Sequence, residues 1–424
     1  MHSRMIRGRA LIAALACLLA SPLAAQTQTQ IALTLEQAIR EALHNNLQLM
    51  AERLELPVAD ADMIAARLRP NPTITYGLDN LSAARVFGTH PADTTDRTLA
   101  AGIPIETAHK RSLRMEAASY SRRIAELQFE DAIRRLRLDV ANAFSDAVRA
   151  QQRAQLAKSN LELLDDVVQL NDVRVRAGAA APLELTRAQT ALYLLRGDVA
   201  RAEAAEAAAQ LRLRNVLGRH DASAAPIELA DSEVRVDTGT LESDALAHRP
   251  DLLAARLTLE QRDAALRLAI AQSRVDPIAG FSYTRKGAGT IGSSYGVNVT
   301  LPLPLFDRNQ GDIARARAEK DVAEAQIKAL ESQVLTEVRT ARGQYLASRA
   351  IVDQIRTDLL PAAQKARDTA AYVYRTHASS LLEFLDAERA WNETMDSYFD
   401  ALAAVRTAAF ELEAALGGHH EENE

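Results

Sequence analysis

From Thr107 to Ala177 the chain contains neither proline nor glycine. A breaker-free run of about 70 residues reads as one continuous α-helix, and at 1.5 Å per residue it makes a rod of roughly 100 Å. Apolar side chains recur along it at coiled-coil spacing: Ile133, Leu136, Val140, Ala143, Ala147, Ala150, Ala154, Ala157, Leu161, Leu164, Val168, Val175. The alanine stretch of that seam lets a neighbouring helix approach closely. Ala177-Gly178 ends the rod, and a second helix runs from Pro182 to Leu217, with proline in its first turn and Gly218 just after its end. Composition agrees with this picture. Hydrophobic residues make up 48% but aromatics only 4%, a mixture suited to long packed helices and incompatible with wholesale disorder.

The plan is written twice. Arg69-Pro70-Asn71-Pro72-Thr73-Ile74-Thr75-Tyr76 resembles Arg274-Val275-Asp276-Pro277-Ile278-Ala279-Gly280-Phe281. Gly102-Ile103-Pro104-Ile105 resembles Leu303-Pro304-Leu305, and Asn46-Leu47 resembles Asp251-Leu252. The stretch from Arg176 to Leu185 resembles that from Arg375 to Phe384. These matches keep their order at an offset of about 200 residues, the mark of an internal duplication. The second long helix is expected over 307–376, N-capped by Asp307 and bent at Pro361, with a last helix over 381–416.

Between the helices lie four short alternating segments, expected as strands over 73–79, 98–105, 278–284 and 295–301. Ile74, Tyr76 and Leu78 share one face; so do Leu99, Ala101, Ile103 and Ile105; so do Ala279, Phe281 and Tyr283; so do Tyr295, Val297, Val299 and Leu301. They fit two hairpins on helices in a soluble domain. They fit equally a membrane barrel with apolar faces towards lipid. Single-chain membrane barrels begin at eight strands, so that barrel requires pooling, and three copies would supply twelve.

The N-terminus reads as a secretory signal: Arg4, Arg7 and Arg9, an apolar run from Ala10 to Ala20, then a cut after Ala25. The run is too short for a membrane span. Cys17 lies within it, and Ala14-Leu15-Ala16 makes a poor lipidation motif. The division is then a signal peptide over 1–25, a first repeat over 26–217, a linker over 218–240 and a second repeat over 241–416. A polar tail covers 417–424.

An exported, duplicated chain with two strand hairpins and four long helices resembles the TolC-type outer-membrane factors. Leu301-Pro302-Leu303-Pro304-Leu305-Phe306-Asp307-Arg308-Asn309-Gln310-Gly311 is most similar to their cobalt–zinc–cadmium efflux subgroup. The resemblance implies a mainly helical homotrimer in the outer membrane of a Gram-negative bacterium, with a twelve-stranded barrel continued by a periplasmic helical tube. It implies an inner-membrane resistance–nodulation–division pump and a periplasmic adaptor (membrane fusion) protein as partners, and passive conduction of cargo such as divalent metal cations. Drug efflux and type I secretion use the same fold. A periplasmic coiled-coil scaffold is the reading from another class, and the strands and duplication argue against it.

The family's closing lock has a tyrosine, an arginine and two acids three residues apart. The resemblance places Tyr374, Glu383 and Asp386 there, with Glu184 as the first-half equivalent of Glu383. The arginine position falls on Ser379. The turns at Ala177, Gly178, Thr376 and His377 match the tips that an adaptor would touch.

Other chemistry is unsupported. There is no H-E-x-x-H, P-loop, nucleotide fingerprint or G-x-S-x-G. A net charge of −6 with interspersed signs does not indicate a nucleic-acid partner. No cofactor is implied, and His419-His420-Glu421-Glu422 reads as a frayed tail.

Overall fold

In a computed structural model of the protein, the structure describes residues 32–80, 95–219, 229, 241–287, 292–376 and 378–418. The expected signal peptide with Cys17, most of the linker, the end of the tail and His377 lie outside the described residues. The chain opens with α1 (Leu35–Asn45), α2 (Leu47–Arg53) and α3 (Glu55–Arg67), then β1 (Thr73–Asp79), β2 (Asp96–Pro104), α4 (Lys110–Arg176) and α5 (Pro182–Leu217). The order then runs again. It comprises α6 (Leu241–His248), α7 (Pro250–Gln272), β3 (Ile278–Arg285), β4 (Ser293–Thr300), α8 (Gln310–Gln354), a π-helical turn (Ile355–Leu359), α9 (Leu360–Arg375) and α10 (Leu381–Leu416).

The two halves are built alike. Helices α5 and α10 are each 36 residues long, and each is closed by a left-handed glycine, Gly218 at φ 76° and Gly417 at φ 108°. A Cβ at Gly218 would stand 2.3 Å from the Asn45 carbonyl oxygen, so that position needs glycine for space as well as conformation. Each half has its own apolar core. In the first, Leu35, Ala38 and Ala42 of α1 pack on Val140, Phe144 and Ala147 of α4 and Leu213 and Leu217 of α5. In the second, Leu241 and Ala245 of α6 pack on Val334, Val338 and Tyr345 of α8 and Ala409 and Leu412 of α10. A buried Arg249 braces the second core, holding Asp251 at 2.6 Å and Glu337 at 2.5 Å. Thr34 and Gln37 form a capping box that starts α1.

The strands form one antiparallel sheet in chain order, β1-β2-β3-β4, so β2 and β3 join the two halves. Registers align the apolar positions in rows across all four strands. Tyr76 faces Leu99, which faces Tyr283, which faces Tyr295; one row inward, Ile74, Ala101, Phe281 and Val297 line up. The opposite face carries Thr75, Ala100, Ser282 and Gly296 in the same manner. The face of exposed tyrosine, isoleucine, phenylalanine and valine has the character expected of a membrane barrel's lipid face, and the opposite face carries small and polar residues. Among the described residues, no helix is long and apolar enough to cross a membrane.

Two local expectations are corrected. The rod starts at Lys110 rather than Thr107, because Thr107 ties the halves together. Its backbone N–H donates to Asp276 at 2.7 Å and its hydroxyl to the Val275 carbonyl at 2.8 Å. Lys110 adds hydrogen bonds to Asp276 at 2.7 Å and the Arg274 carbonyl at 2.6 Å. Asp307 does not cap α8. Its carboxylate accepts from the Asn309 N–H at 2.8 Å, and Asn309, left-handed at φ 60°, is the residue before the helix. At Pro361, where a bend is expected, the long helix carries a π-helical turn just ahead, and the proline falls in the first turn of α9, where a missing N–H is tolerated.

Candidate functional site

The far ends of the helical hairpins, opposite the sheet, are closed by two turns of one kind. After α4, the Ala179 N–H donates to the Arg174 carbonyl at 2.8 Å and the Gly178 N–H to the Val175 carbonyl at 3.0 Å, with Gly178 at φ 73°. After α9, the Ala378 N–H donates to the Val373 carbonyl at 2.9 Å in the equivalent closure past Thr376. Both satisfy the carbonyls that a helix leaves unpaired at its C-terminus.

Above these turns a single core spans both halves: Leu164 and Val167 of α4, Ala188 and Leu192 of α5, Tyr374 of α9, and Leu381 and Phe384 of α10. Tyr374 is buried at its centre. Its hydroxyl donates to Asn171 Oδ1 at 2.9 Å, and Asn171 Nδ2 donates back to that hydroxyl at 2.7 Å and to the Val167 carbonyl at 2.9 Å. One ring face stacks on Phe384, with centroids 5.3 Å apart, while the Arg174 guanidinium lies 5.1 Å from the ring centroid. Arg174 also reaches the Arg375 carbonyl at 3.4 Å. Through Tyr374, then, α9 is clamped to α4 by a fully buried polar pair and a cation–π contact.

The acids named from the sequence stand differently. Glu383 is exposed and closes the start of α10: its carboxylate accepts from the Ser380 N–H at 3.3 Å, while Ser380 Oγ accepts from the Glu383 N–H at 3.3 Å. Asp386 is exposed one turn on, 3.7 Å from Arg389. Glu184 lies in the first turn of α5, on the other hairpin, and is half-buried. At Ser379 no cation is present, and its buried hydroxyl has no hydrogen-bond partner among the described residues. The cation beside Tyr374 comes instead from Arg174, and its polar partner from Asn171. Sequence reasoning missed both. The signal was the gap between Val168 and Val175 in the apolar seam, where a buried asparagine now sits.

Further up, α4 meets α10 through a polar ladder. Asn160 donates to Asn392 at 2.8 Å, Arg153 reaches Asp396 at 3.2 Å and Asp400 at 2.9 Å, and Arg149 lies 3.5 Å from Asp400. Beside it Arg367 of α9 sits 4.4 Å from the Trp391 ring centroid. Half-buried Glu388 is held above the usual carboxylate range: burial lifts it, Arg367 offsets part of that, and Asp368 adds to it. Among the described residues, no three His, Cys, Asp or Glu side chains converge to hold a metal. The arrangement can latch two helical hairpins together or let them part; it holds no constellation for covalent chemistry.

The pattern of the family described as "Outer membrane efflux protein" matches residues 38–219 and 241–418, once in each half. The cobalt-zinc-cadmium resistance protein CzcC of Cupriavidus metallidurans is 28% identical over 91% of this chain and 90% of its own length. The pyoverdine export outer membrane protein OpmQ of Pseudomonas aeruginosa is 25% identical over 91% of this chain and 85% of its own. Among solved structures, the outer membrane protein VceC of Vibrio cholerae superposes with a TM-score of 0.73 at 20% identity, covering 91% of this chain and 97% of that one. The same long helices and four antiparallel strands are thus shared at low sequence identity.

Proposed function

The chain belongs to the outer membrane efflux protein family, and from that premise we propose that it is the exit duct of a tripartite metal-efflux system. As a TolC-type channel it sits in the outer membrane, extends into the periplasm and performs no covalent chemistry. The fold implies a trimer working with efflux partners. In the proposed reading those partners are a resistance–nodulation–division pump and a periplasmic adaptor that contacts the turns at Ala177, Gly178, Thr376 and His377. The cargo is divalent heavy-metal cations such as cobalt, zinc and cadmium. The observation that carries this reading is likeness, through both halves, to a relative named for resistance to those metals. A second relative, named for pyoverdine export, favours a duct for small organic cargo instead.

In this reading the closing end is the region of Tyr374, Glu383, Asp386 and Glu184. Three copies of Glu383 and Asp386 around one axis form a ring of like charge that attracts cations and resists narrowing, and divalent ions relieve the repulsion. The double substitution Glu383→Ala/Asp386→Ala is expected to lower cation preference and weaken divalent block in bilayer recordings. Unchanged selectivity and block remove the ring from the gate. Cargo is tested by growth of a deletion strain across zinc, cadmium, cobalt, nickel, copper, siderophores and drugs. Selective metal sensitivity, restored by complementation, supports the metal duct; sensitivity to organic compounds alone overturns it.

A further inference from the structure

We propose that the groove between α5 and α10 is a binding site for a small organic cation with an apolar body. Both helices pack on α4 and leave a channel between them, a cavity of about 430 Å³ near the tip. Leu164 of α4 lies at its floor, Leu194 and Leu195 of α5 line one wall, and Phe384 and Leu385 of α10 line the other. That floor is the surface of the shared tip core. Leu164 and Phe384 are buried in it, while Leu194 stays 69% exposed. An open leucine beside a cavity of ligand size is apolar surface that a bound molecule takes out of water.

Charge decides the class of ligand. Asp198 of α5 and Glu388, Glu393 and Asp396 of α10 line the groove, against one base, Arg389. Asp198 is paired with Arg201, and Asp396 lies 3.2 Å from Arg153. Arg389 is itself 3.7 Å from Asp386. Glu388 and Glu393 form no ion pair among the described residues. Burial lifts the Glu388 carboxyl, Arg367 offsets part of that, and Asp368 adds to it. A cation in the groove restores the favourable charge that burial denies Glu388, and the apolar walls cover the rest of the molecule. A bare metal ion is a poorer fit, because among the described residues no three acidic, imidazole or thiol side chains converge. A helix is too large: one turn, roughly 10–12 Å across and about 5.4 Å tall, already fills a cavity of this size. Asn160, donating to Asn392 at 2.8 Å, closes the end nearer the middle of the helical body.

The test uses the purified full-length mature protein in phosphatidylcholine nanodiscs, with tetraphenylphosphonium as probe and equilibrium dialysis against empty nanodiscs as readout. Trp391, the chain's only tryptophan, is one turn from Glu388 with Arg367 4.4 Å from its ring centroid, and its emission gives a second readout. Tetraphenylborate supplies the same shape with opposite charge, and tetramethylammonium the same charge without the apolar body. Saturable binding of tetraphenylphosphonium is expected, weakening as salt rises. Glu388→Gln/Glu393→Gln is expected to weaken it about tenfold and Leu194→Ala about threefold. No saturable binding, equal binding of tetraphenylborate, or undiminished affinity in the double variant overturns the site. Equally tight tetramethylammonium, or no effect of Leu194→Ala, overturns the apolar body as part of the ligand. The wild-type comparison of the three ions decides the matter even where a variant fails to assemble. Binding is read without conduction, so its outcome is independent of the duct's cargo.

Discussion

The middle of the helical body and its far tip solve the same packing problem in different ways. At the middle, each half packs a mainly apolar core around Phe144 or Tyr345, with Phe410 of α10 reaching the first and the ion-paired Arg249 beside the second. At the tip one core is shared between halves and has buried polar groups within it, the Asn171–Tyr374 pair and Arg174. Between them the halves meet across the polar ladder of Arg149, Arg153 and Asn160 against Asp400, Asp396 and Asn392. Close-packed apolar contacts are hard to rearrange, whereas polar pairs exchange for water at small net cost. In the proposed reading the difference marks where the duct yields: the middle acts as a collar, and the tip, held by a few polar contacts, is the end that parts.

Removing bulk from the collar breaks the contrast most severely. Phe144→Ala empties a fully buried site and is expected to cost about 3–5 kcal/mol, seen as lower heat resistance of the assembled protein. Phe384 at the tip is nearly as buried, and Phe384→Ala is expected to cost a comparable amount, read there as a raised open-state probability as well. Next in size, Tyr374→Phe deletes the hydroxyl and strands Asn171, an expected cost of about 1–3 kcal/mol to the closed tip. Its mark is a higher open-state probability in bilayers with heat resistance unchanged.

Proton binding sharpens the comparison with smaller effects of opposite sign. At the collar, burial alone lifts the Asp251 carboxyl, but hydrogen bonds from Arg249, that guanidinium's charge, Arg134 and the Leu252 N–H bring it below its ordinary value. Its stabilisation is present above the ordinary carboxylate range and is lost as pH falls through the lowered value. Glu388 near the tip is raised, chiefly by burial, so the folded tip favours the protonated acid. The cost of ionising it grows as pH rises from the ordinary to the raised value and is present in full above that, so the tip tightens as pH falls through the raised one. A few-fold drop in open probability on mild acidification is expected, and Glu388→Gln should show the low value at every pH. A variant that keeps the wild-type pH response clears Glu388 of this role.

Much of the architecture was legible because it rests on periodicity and on punctuation. The rod, the duplication and the four alternating strands follow from patterns that tertiary contacts have no reason to override. Details failed where a side chain has a long-range partner. Thr107 reads as helical because no proline or glycine separates it from the rod, but it is claimed by Asp276, about 170 residues away. Asp307 reads as a cap but serves a local turn before Asn309. At the tip Tyr374 was legible by resemblance, yet its partners were not, since Asn171 and Arg174 lie about 200 residues upstream and no local pattern joins them. Glu383 illustrates the reverse: the resemblance implies a charge facing an axis, and locally it also caps a helix.

In the proposed reading, Tyr374 and Asn171 act as one latch between the halves. The most direct measurement is a double-mutant cycle on open-state probability in planar bilayers, with Tyr374→Phe, Asn171→Ala and the pair combined. Each single change is expected to raise opening, and the double variant to open no more than either alone, because one shared contact has been removed. Effects that simply add would show that the two side chains act independently, and the latch would be contradicted.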